Sequence, residues 1–208
     1  MQIFPRSLNL LPLVVALAVV AGGAAVTFVF WYWFSPNNLQ VGYAPEQPIP
    51  YSHKLHVGEL GLDCRYCHAN VERSYEAQVP PTQTCMGCHA IVRKDSPRLL
   101  RLRDSWASDE PVHWVRVHKL PDHAYFDHSV HVAVGVGCVT CHGRIDQMDV
   151  VRQDQPLSMG WCLDCHRDPQ DRLRPIEEVT NMTWAKAADE ELTLAPVDPP
   201  ENCSGCHR

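Results

Sequence analysis

The first part of the chain is continuously apolar. No charged residue occurs from Leu8 to Phe34, and an uncharged run of this length predicts a helix that crosses a bilayer. Arg6 is the charge that precedes the run, so the positive-inside rule predicts a cytoplasmic N-terminal tail and export of the remainder. The aromatic group from Trp31 to Phe34 falls at the outer end, where amphipathic rings favour the membrane interface. We therefore assign residues 1–35 to a cytoplasmic tail and a transmembrane anchor.

This segment has one competing interpretation, a cleaved signal peptide. The small residues 21–25 could be recognised by a signal peptidase, but the apolar run continues well beyond them, which favours an uncleaved anchor. Ala18 with Gly22, and Ala21 with Ala25, also place small residues four apart, a spacing that lets another helix approach closely. Alanine and glycine are common in membrane helices generally, so a partner helix is one of two open interpretations.

The hydrophobic pattern after the anchor is weak. Residues 36–50 contain four prolines and no apolar period, which predicts an extended tether. Beyond the tether, short helices are predicted at Arg98–Trp106 and Trp184–Leu192, and no alternating strand is convincing. The aliphatic residues of the exported part are too scattered to form an ordinary hydrophobic core, so another component must fill its interior.

Composition and charge narrow the classes of function. The chain is 45% hydrophobic and 20% charged, with a net charge of −6. This mild acidity, without any Lys/Arg-rich run, argues against nucleic acid as a partner. The unusual feature is the presence of ten cysteines and twelve histidines in 208 residues. These numbers require a disulfide framework, metal sites or covalent haem.

All ten cysteines lie in five copies of Cys-x-x-Cys-His, the attachment signature of c-type haem. In this motif the two thiols bond to the porphyrin vinyl groups, and the adjoining histidine becomes the proximal ligand of the iron. We therefore predict five covalently bound haem c groups. The attachment cysteines are Cys64 and Cys67, Cys85 and Cys88, Cys138 and Cys141, Cys162 and Cys165, and Cys203 and Cys206. The proximal histidines are His68, His89, His142, His166 and His207.

Three other uses of these cysteines fit less well. Structural zinc uses Cys-x-x-Cys pairs two at a time, so five pairs would leave one stranded. Disulfides are permitted outside the cytoplasm, but they give no reason for a histidine after every second cysteine. Redox sites of thioredoxin type need a strand-and-helix scaffold, which this proline-rich chain lacks.

An internal repeat organises the motifs. An aromatic-x-His-x-x-His element begins at Tyr51 and again at Phe126, and each copy precedes two haem motifs at nearly constant spacing. The repeat predicts a first dihaem module with its connector at residues 51–125 and a second dihaem module at residues 126–167. A C-terminal segment with the fifth motif occupies residues 168–208.

Histidines can also supply the sixth ligands of the irons. Seven remain after the proximal ones are counted, and five low-spin haems need five. The repeated position before a haem motif favours four of them as ligands rather than surface groups: His53, His56, His128 and His131. His118, just ahead of the second module, is the next candidate. His113 and His123 stay open as ligands, surface groups or groups that support a ligand.

Methionine is a competing sixth ligand, because a thioether raises the potential of a haem relative to a second imidazole. Met86 lies between its own two cysteines and is poorly placed to reach over the iron. For Met148, Met159 and Met182, packing against a porphyrin face is the alternative role. Met182, in the proline-rich stretch before the last motif, is the leading candidate ligand, followed by Met148.

Bound porphyrins would explain the scarcity of core residues. We expect a multihaem cytochrome c fold, mostly coil with short α-helices wrapped around haems, plus one N-terminal transmembrane helix. Folding should depend on haem attachment, as metal-dependent folding does. The propionates would make the loaded protein more acidic unless Arg and Lys pair with them.

The repeated element resembles that of small cytochromes with three and four haems. In those proteins the first histidine binds the haem of the following motif, and the second reaches a neighbouring haem. The resemblance implies that His53 and His128 bind the haems of the first and third motifs. It implies that His56 and His131 cross to adjacent haems.

The single anchor, the five motifs and the segments Val117–Phe126 and Pro156–Cys162 together resemble the pentahaem cytochrome subunit of alternative complex III. The resemblance implies a bacterial quinol-oxidising complex with polytopic membrane subunits, an iron–sulfur and molybdopterin-enzyme-like subunit and a monohaem cytochrome. It implies a haem domain on the periplasmic side of the cytoplasmic membrane, mostly with bis-histidine haems and with room for one His/Met haem. Related pentahaem subunits of other membrane oxidoreductases stay open.

The predicted function is electron transfer from this complex to a periplasmic cytochrome or terminal oxidase, rather than conversion of a substrate. A multihaem reductase is one alternative, but it needs an iron with an open distal position. This chain has a surplus of histidines and no motif with lysine in place of histidine. A stand-alone quinol dehydrogenase with one anchor and four haems is the other alternative, and it has one motif fewer than this chain.

Overall fold

The computed structural model describes residues 5–35, 38, 40–187 and 194–207, and the chain divides into two compact units, Met1–Val41 and Gly42–Arg208. In the first unit, the 3₁₀ helix Arg6–Leu10 continues into helix α1, Leu11–Trp33. This apolar span is 28 residues long and none of it is buried by the protein. Its length and composition fit a membrane anchor.

The second unit consists of short helices joined by coil. Its α-helices are α2 (Cys64–Cys67), α3 (Thr82–His89), α4 (Leu100–Ser108), α5 (His128–Ala133), α6 (Cys138–His142), α7 (Met159–Arg167) and α8 (Cys203–Cys206). A π-helix occupies Lys54–Glu59, and 3₁₀ turns occupy Pro97–Leu99, Ile145–Gln147, Gln170–Arg172 and Ile176–Glu178. No strand forms among the described residues. Two isolated antiparallel bridges join Ala124 to His207 and Val136 to Leu173.

Local side chains explain where several of these helices begin. Asp63, Asp127, Ser158 and Asn202 each accept a hydrogen bond from a backbone N–H in the first turn of α2, α5, α7 and α8 respectively. Such N-caps satisfy donors that the helix itself leaves unpaired. At the other end of α6, Gly143 has a φ of +61°, a conformation that glycine adopts readily. The caps therefore fix helices that are too short to be stable alone.

Buried apolar residues are few, as the weak hydrophobic pattern predicts. The described core consists of Ile49, Val71, Leu102, Val132, Met148, Leu173, Val179 and Met182. Val71, Val132 and Val179 form one cluster. The cluster joins the segment after the first haem motif to helix α5 and to the residue that follows the 3₁₀ turn Ile176–Glu178. A unit of this length normally buries a much larger apolar core. Contacts between the side chains of this chain therefore explain little of its stability.

The two short helices predicted from the sequence have different outcomes. The prediction at Arg98–Trp106 is confirmed by α4 and the 3₁₀ turn before it. The prediction at Trp184–Leu192 is wrong for residues 184–187, which are coil, and residues 188–193 lie outside the described residues. In this coil the Trp184 ring packs under the guanidinium of Arg174, with the ring centroid 5.0 Å from Cζ.

The second half of the tether predicted at residues 36–50 packs onto the rest of the second unit. Gly42 N–H donates to the Gln153 carbonyl at 2.8 Å, and Gln153 N–H donates to the Tyr43 carbonyl at 3.0 Å. Ile49 is buried, with 5% of its surface exposed. The second half of the predicted tether is therefore part of the second unit.

Candidate haem sites

Each Cys-x-x-Cys-His motif lies on or at the end of a short helix. The five helices are α2, α3, α6, α7 and α8. Residues i and i+3 of a helix share one face, so the two thiols of each motif point to the same side and the histidine follows one position later. All ten cysteines are free thiols. The helices thus present five pairs of thiols, each with an adjoining imidazole.

Backbone carbonyls orient four of the five proximal histidines. The Nδ1 atom of each forms a hydrogen bond with a main-chain oxygen: His68 with Gln78 at 2.5 Å, His89 with Val92 at 3.0 Å, His166 with Pro200 at 2.8 Å, and His207 with His123 at 3.3 Å. A carbonyl partner on Nδ1 fixes the tautomer and leaves Nε2 for a metal. His142 differs, because its buried Nδ1 has no hydrogen-bond partner.

Four proximal histidines face a second imidazole. The ring centroids are 6.2 Å apart for His89 and His56, 6.4 Å for His142 and His128, 6.2 Å for His166 and His131, and 5.6 Å for His207 and His123. An iron bonded to two imidazole nitrogens at about 2 Å each separates the ring centroids by roughly 6 Å. The residues present therefore fit axially ligated haem.

His53 lies beside the remaining proximal histidine, His68. Burial, followed by the charges of His68 and His56, lowers the pKa of His53 to about 4. Burial likewise lowers the pKa of His142 to about 3, with the neighbouring histidines contributing. A low pKa keeps an imidazole neutral at physiological pH, and the neutral form is the metal ligand.

The two copies of the aromatic-x-His-x-x-His element have the same geometry. Tyr51 contacts His53 edge-on at 4.8 Å and stacks on His56 at 4.4 Å. Phe126 contacts its two histidines at 4.8 and 4.6 Å in a similar arrangement. The aromatic ring thus sets the relative orientation of two imidazoles that face different motifs.

Backbone hydrogen bonds also fix three histidines of the repeated element. The Nδ1 atoms of His56, His128 and His131 bond to main-chain oxygens at 2.8, 2.8 and 2.7 Å. Two of these oxygens, on Ser52 and Asp127, lie four residues before the histidine. The Nε2 atoms are again left free to bind a metal.

The structure places His118 and His123 differently from the sequence-based ranking. His118, ranked as the fifth distal ligand, is edge-on to His142 with the ring centroids 4.5 Å apart. That separation is too short for an iron between the two rings. His123, which the sequence left open, is the ring that faces His207. The bridge between Ala124 and His207 brings these distant segments together.

A sequence signal for His123 does exist. The fifth motif has no aromatic-x-His-x-x-His element of its own, so its sixth ligand must come from a distant segment. His123 lies immediately before the second copy of that element. His113 is exposed, and Met148 and Met182 are buried, with 3% and 8% of their surfaces exposed.

The motifs are close neighbours in a defined order. The Cys64 and Cys138 thiols are close enough to influence each other's pKa, which brings the first motif next to the third. Cys67 is also near Cys88 of the second motif. Cys141 lies near Cys165 of the fourth motif, and Cys162 lies near Cys206 of the fifth. The spatial order is therefore second, first, third, fourth, fifth.

The side chains of the motifs differ in their arrangement from the ligand clusters that bind zinc. Among the described residues, no group of three or more His, Cys, Asp or Glu side chains is close enough to hold a metal ion. Zinc requires four such ligands. A haem iron requires only two axial ligands from the protein, because the porphyrin supplies the rest, and paired imidazoles meet that requirement.

Comparisons with known proteins agree with this chemistry. A family model described as "Cytochrome c7 and related cytochrome c" matches residues 124–208. The menaquinone reductase multihaem cytochrome c subunit of Nitratidesulfovibrio vulgaris is 35% identical over 167 residues, which cover 69% of this chain and 78% of that protein.

The fold and the paired cysteine–histidine sites define a multihaem c-type cytochrome with covalently bound haem c. The predicted fold class, short helices and coil around haems with one apolar N-terminal helix, is confirmed. The chain belongs to the family of multihaem cytochrome c subunits that includes the Nitratidesulfovibrio vulgaris menaquinone reductase subunit. Its role is electron transfer.

Proposed function

We propose that this chain carries five haem c groups and relays electrons between quinone-reactive membrane subunits and a periplasmic electron carrier. The observation that carries the proposal is that four of the five proximal histidines face a second imidazole with ring centroids 5.6 to 6.4 Å apart. The remaining proximal histidine, His68, is close enough to His53 to lower the pKa of His53. Irons with two imidazole ligands are closed to substrates, so they exchange electrons and do not bind a reactant. A multihaem reductase would need an open position at one iron.

Four of the proposed ligand pairs follow from the ring positions, and the pair of His68 with His53 follows from the electrostatic influence of His68 on His53. They are His68 with His53, His89 with His56, His142 with His128, His166 with His131, and His207 with His123. Because each iron then has two imidazoles, Met182 and Met148 are assigned to packing. His118 is assigned to edge-on packing against the His142 ring and not to an iron.

The proposed electron path runs through the haems in the order second, first, third, fourth, fifth. The cysteine contacts between successive motifs support this order. The path crosses from the first module to the second where the thiols of Cys64 and Cys138 meet. Each haem then has at most two neighbours, which suits a one-dimensional relay.

The proposed setting is a membrane complex. The apolar helix Arg6–Trp33 anchors the chain with its N-terminus in the cytoplasm and its haems in the periplasm. The resemblance to the pentahaem subunit of alternative complex III supports polytopic subunits, an iron–sulfur and molybdopterin-like subunit and a monohaem cytochrome as partners. The related Nitratidesulfovibrio vulgaris protein is likewise named as a subunit. Purification in mild detergent tests this setting, because a lone active chain would contradict it.

The first experiment counts and classifies the haems. Pyridine haemochrome analysis and the mass of the intact polypeptide should both give five haems per chain. Ferric haem should be fully low-spin by electron paramagnetic resonance, and the reduced protein should not bind carbon monoxide. A high-spin signal from one haem in the freshly isolated protein would instead support a reductase.

A second candidate function is quinone reduction, which differs from quinol oxidation in the direction of electron flow. The relative is named a menaquinone reductase, which would deliver electrons to quinone, whereas the resemblance to alternative complex III implies quinol oxidation. Rapid mixing of the isolated complex separates the two possibilities. Haem reduction by a quinol analogue faster than by reduced periplasmic cytochrome supports quinol oxidation, and the reverse order of rates supports quinone reduction.

A further inference from the structure

Arg174 is a buried cation held beside the third haem motif. Only 7% of its surface is exposed. Its backbone N–H donates to the Gly135 carbonyl at 2.9 Å, next to the bridge between Val136 and Leu173. The main chain therefore fixes Arg174 against the segment that leads directly into Cys138.

The guanidinium lies directly against the backbone of that segment. A Cβ atom added to Gly137 would be 2.2 Å from the Arg174 Cζ and 2.3 Å from its Nε. No residue other than glycine leaves room for this approach. The positive charge is thus one residue from the cysteine that attaches the third haem, and it contributes electrostatically at the Cys138 thiol.

The protein partners of this guanidinium are neutral. Nη1 donates to the Asn181 carbonyl at 3.0 Å, and the Trp184 ring lies 5.0 Å from Cζ. Nε is buried without a hydrogen-bond partner. Among the described residues no carboxylate is within ion-pair distance of it. The nearby Glu178 instead accepts a hydrogen bond from the Asn181 side chain at 2.6 Å.

An unpaired buried charge is costly and usually has an electrostatic partner. A haem that accepts an electron can provide this partner. Reduction of its iron from ferric to ferrous adds one negative charge near the guanidinium and breaks no bond. We propose that Arg174 raises the reduction potential of the haem attached to Cys138 and Cys141, and so sets the potential at the junction between the two modules. The inference rests on haem occupancy of the third motif, as proposed above.

The magnitude follows from Coulomb's law. At roughly 10 Å and an effective dielectric constant of about 20, a unit charge changes a one-electron equilibrium by about tenfold. For a one-electron couple, tenfold corresponds to about 59 mV. The interaction weakens with distance, so the potentials of haems farther from Arg174 should change less.

The test is a redox titration of the full-length holoprotein carrying Arg174→Gln, followed by visible and electron paramagnetic resonance spectroscopy. One of the five midpoint potentials should fall by about 59 mV, which corresponds to a tenfold change in its equilibrium constant. Arg174→Lys keeps the charge, so the same midpoint potential should stay close to that of the unsubstituted protein. Arg101→Gln removes the same charge from the exposed face of α4 and should leave all five midpoints unchanged.

A second pair of variants tests the opposite sign without disturbing the buried site. Glu178→Gln removes the nearby negative charge and should raise the same midpoint, whereas Glu177→Gln, on the exposed neighbour, should not. The proposal is overturned if all five midpoint potentials shift equally. It is also overturned if neither Arg174→Gln nor Glu178→Gln shifts any midpoint potential. A Cys138→Ala/Cys141→Ala chain that keeps its full haem count would refute haem at the third motif instead, which separates the two failures.

Discussion

His128 and His142 face each other with ring centroids 6.4 Å apart and ring planes only 10° from parallel. His56 and His89 have nearly the same separation, 6.2 Å, but their planes differ by 66°. Two imidazoles that bind one iron must have about this separation, but their mutual rotation is set by the surrounding protein. Haems held by the proposed ligand pairs would therefore share one chemistry and differ in the mutual rotation of their two imidazoles.

This difference predicts the electron paramagnetic resonance spectrum of the ferric protein. Near-parallel imidazoles give a rhombic low-spin signal, whereas strongly rotated ones give a highly anisotropic signal with one large g value. We expect both types, and His128→Ala should remove a rhombic component and create a high-spin one. His56→Ala is the matched variant and should remove an anisotropic component. Loss of the same component in both variants would contradict the ligand pairs.

The fifth haem provides a test of His123 against His118. His123→Ala should leave the iron next to His207 with one protein ligand, because the two rings face each other at 5.6 Å. One haem of five should become high-spin and bind carbon monoxide. His113→Ala alters an exposed histidine of the same connector and serves as the control.

His118→Ala should keep all five haems low-spin, because the His118 ring is only 4.5 Å from that of His142. A high-spin haem in this variant would restore His118 as a ligand. Low-spin spectra for both His118→Ala and His123→Ala would return a methionine to consideration at the fifth haem.

Asp63 links acid stability to the first haem motif. Its carboxylate caps α2 and accepts hydrogen bonds from Arg65 and Thr180. These contacts, chiefly that with the Arg65 side chain, lower the pKa of Asp63 from 3.8 to about 2. The stabilisation is complete above pH 4 and is lost as the pH falls towards 2, because the folded carboxyl must then be protonated.

We expect Asp63→Ala to lower the free energy of unfolding at pH 7 by about 1 kcal/mol, the usual value of an N-cap. The difference from the unsubstituted protein should shrink between pH 4 and pH 2 in thermal unfolding experiments. Asp63→Asn keeps a capping side chain and should lose less. Asp104→Asn changes an exposed carboxylate on α4, and a pH profile equal to that of Asp63→Asn would refute the assigned role.

Haem attachment should determine folding, since the apolar core is small. Replacing Cys138 and Cys141 with alanine removes the central attachment site, whereas replacing Cys203 and Cys206 removes a terminal one. The first variant should become sensitive to protease throughout the second unit, because the third motif adjoins both modules. The second should lose protection mainly near the C-terminus. Equal protease resistance of both variants and the unsubstituted protein would show that haem does not form the core.

Local sequence determines the attachment sites and the repeated histidines. Cys-x-x-Cys-His places two thiols and an imidazole on one helical turn, so its chemistry is readable without any tertiary contact. The repeated histidines can also be predicted from the sequence: His53, His56, His128 and His131. In both copies of the repeat they follow an aromatic residue and precede a haem motif in the same order. The anchor needs only an apolar run of sufficient length.

Tertiary structure alone decides how distant segments share a haem. The proposed choice of His123 over His118 rests on the bridge between Ala124 and His207, and the spatial order of the motifs rests on the proximity of Cys64 to Cys138. The position of Arg174 beside Cys138 is equally invisible in the sequence. An iron joins ligands far apart in the chain, and their pairing is set by how the coil packs, which has no periodic pattern to read.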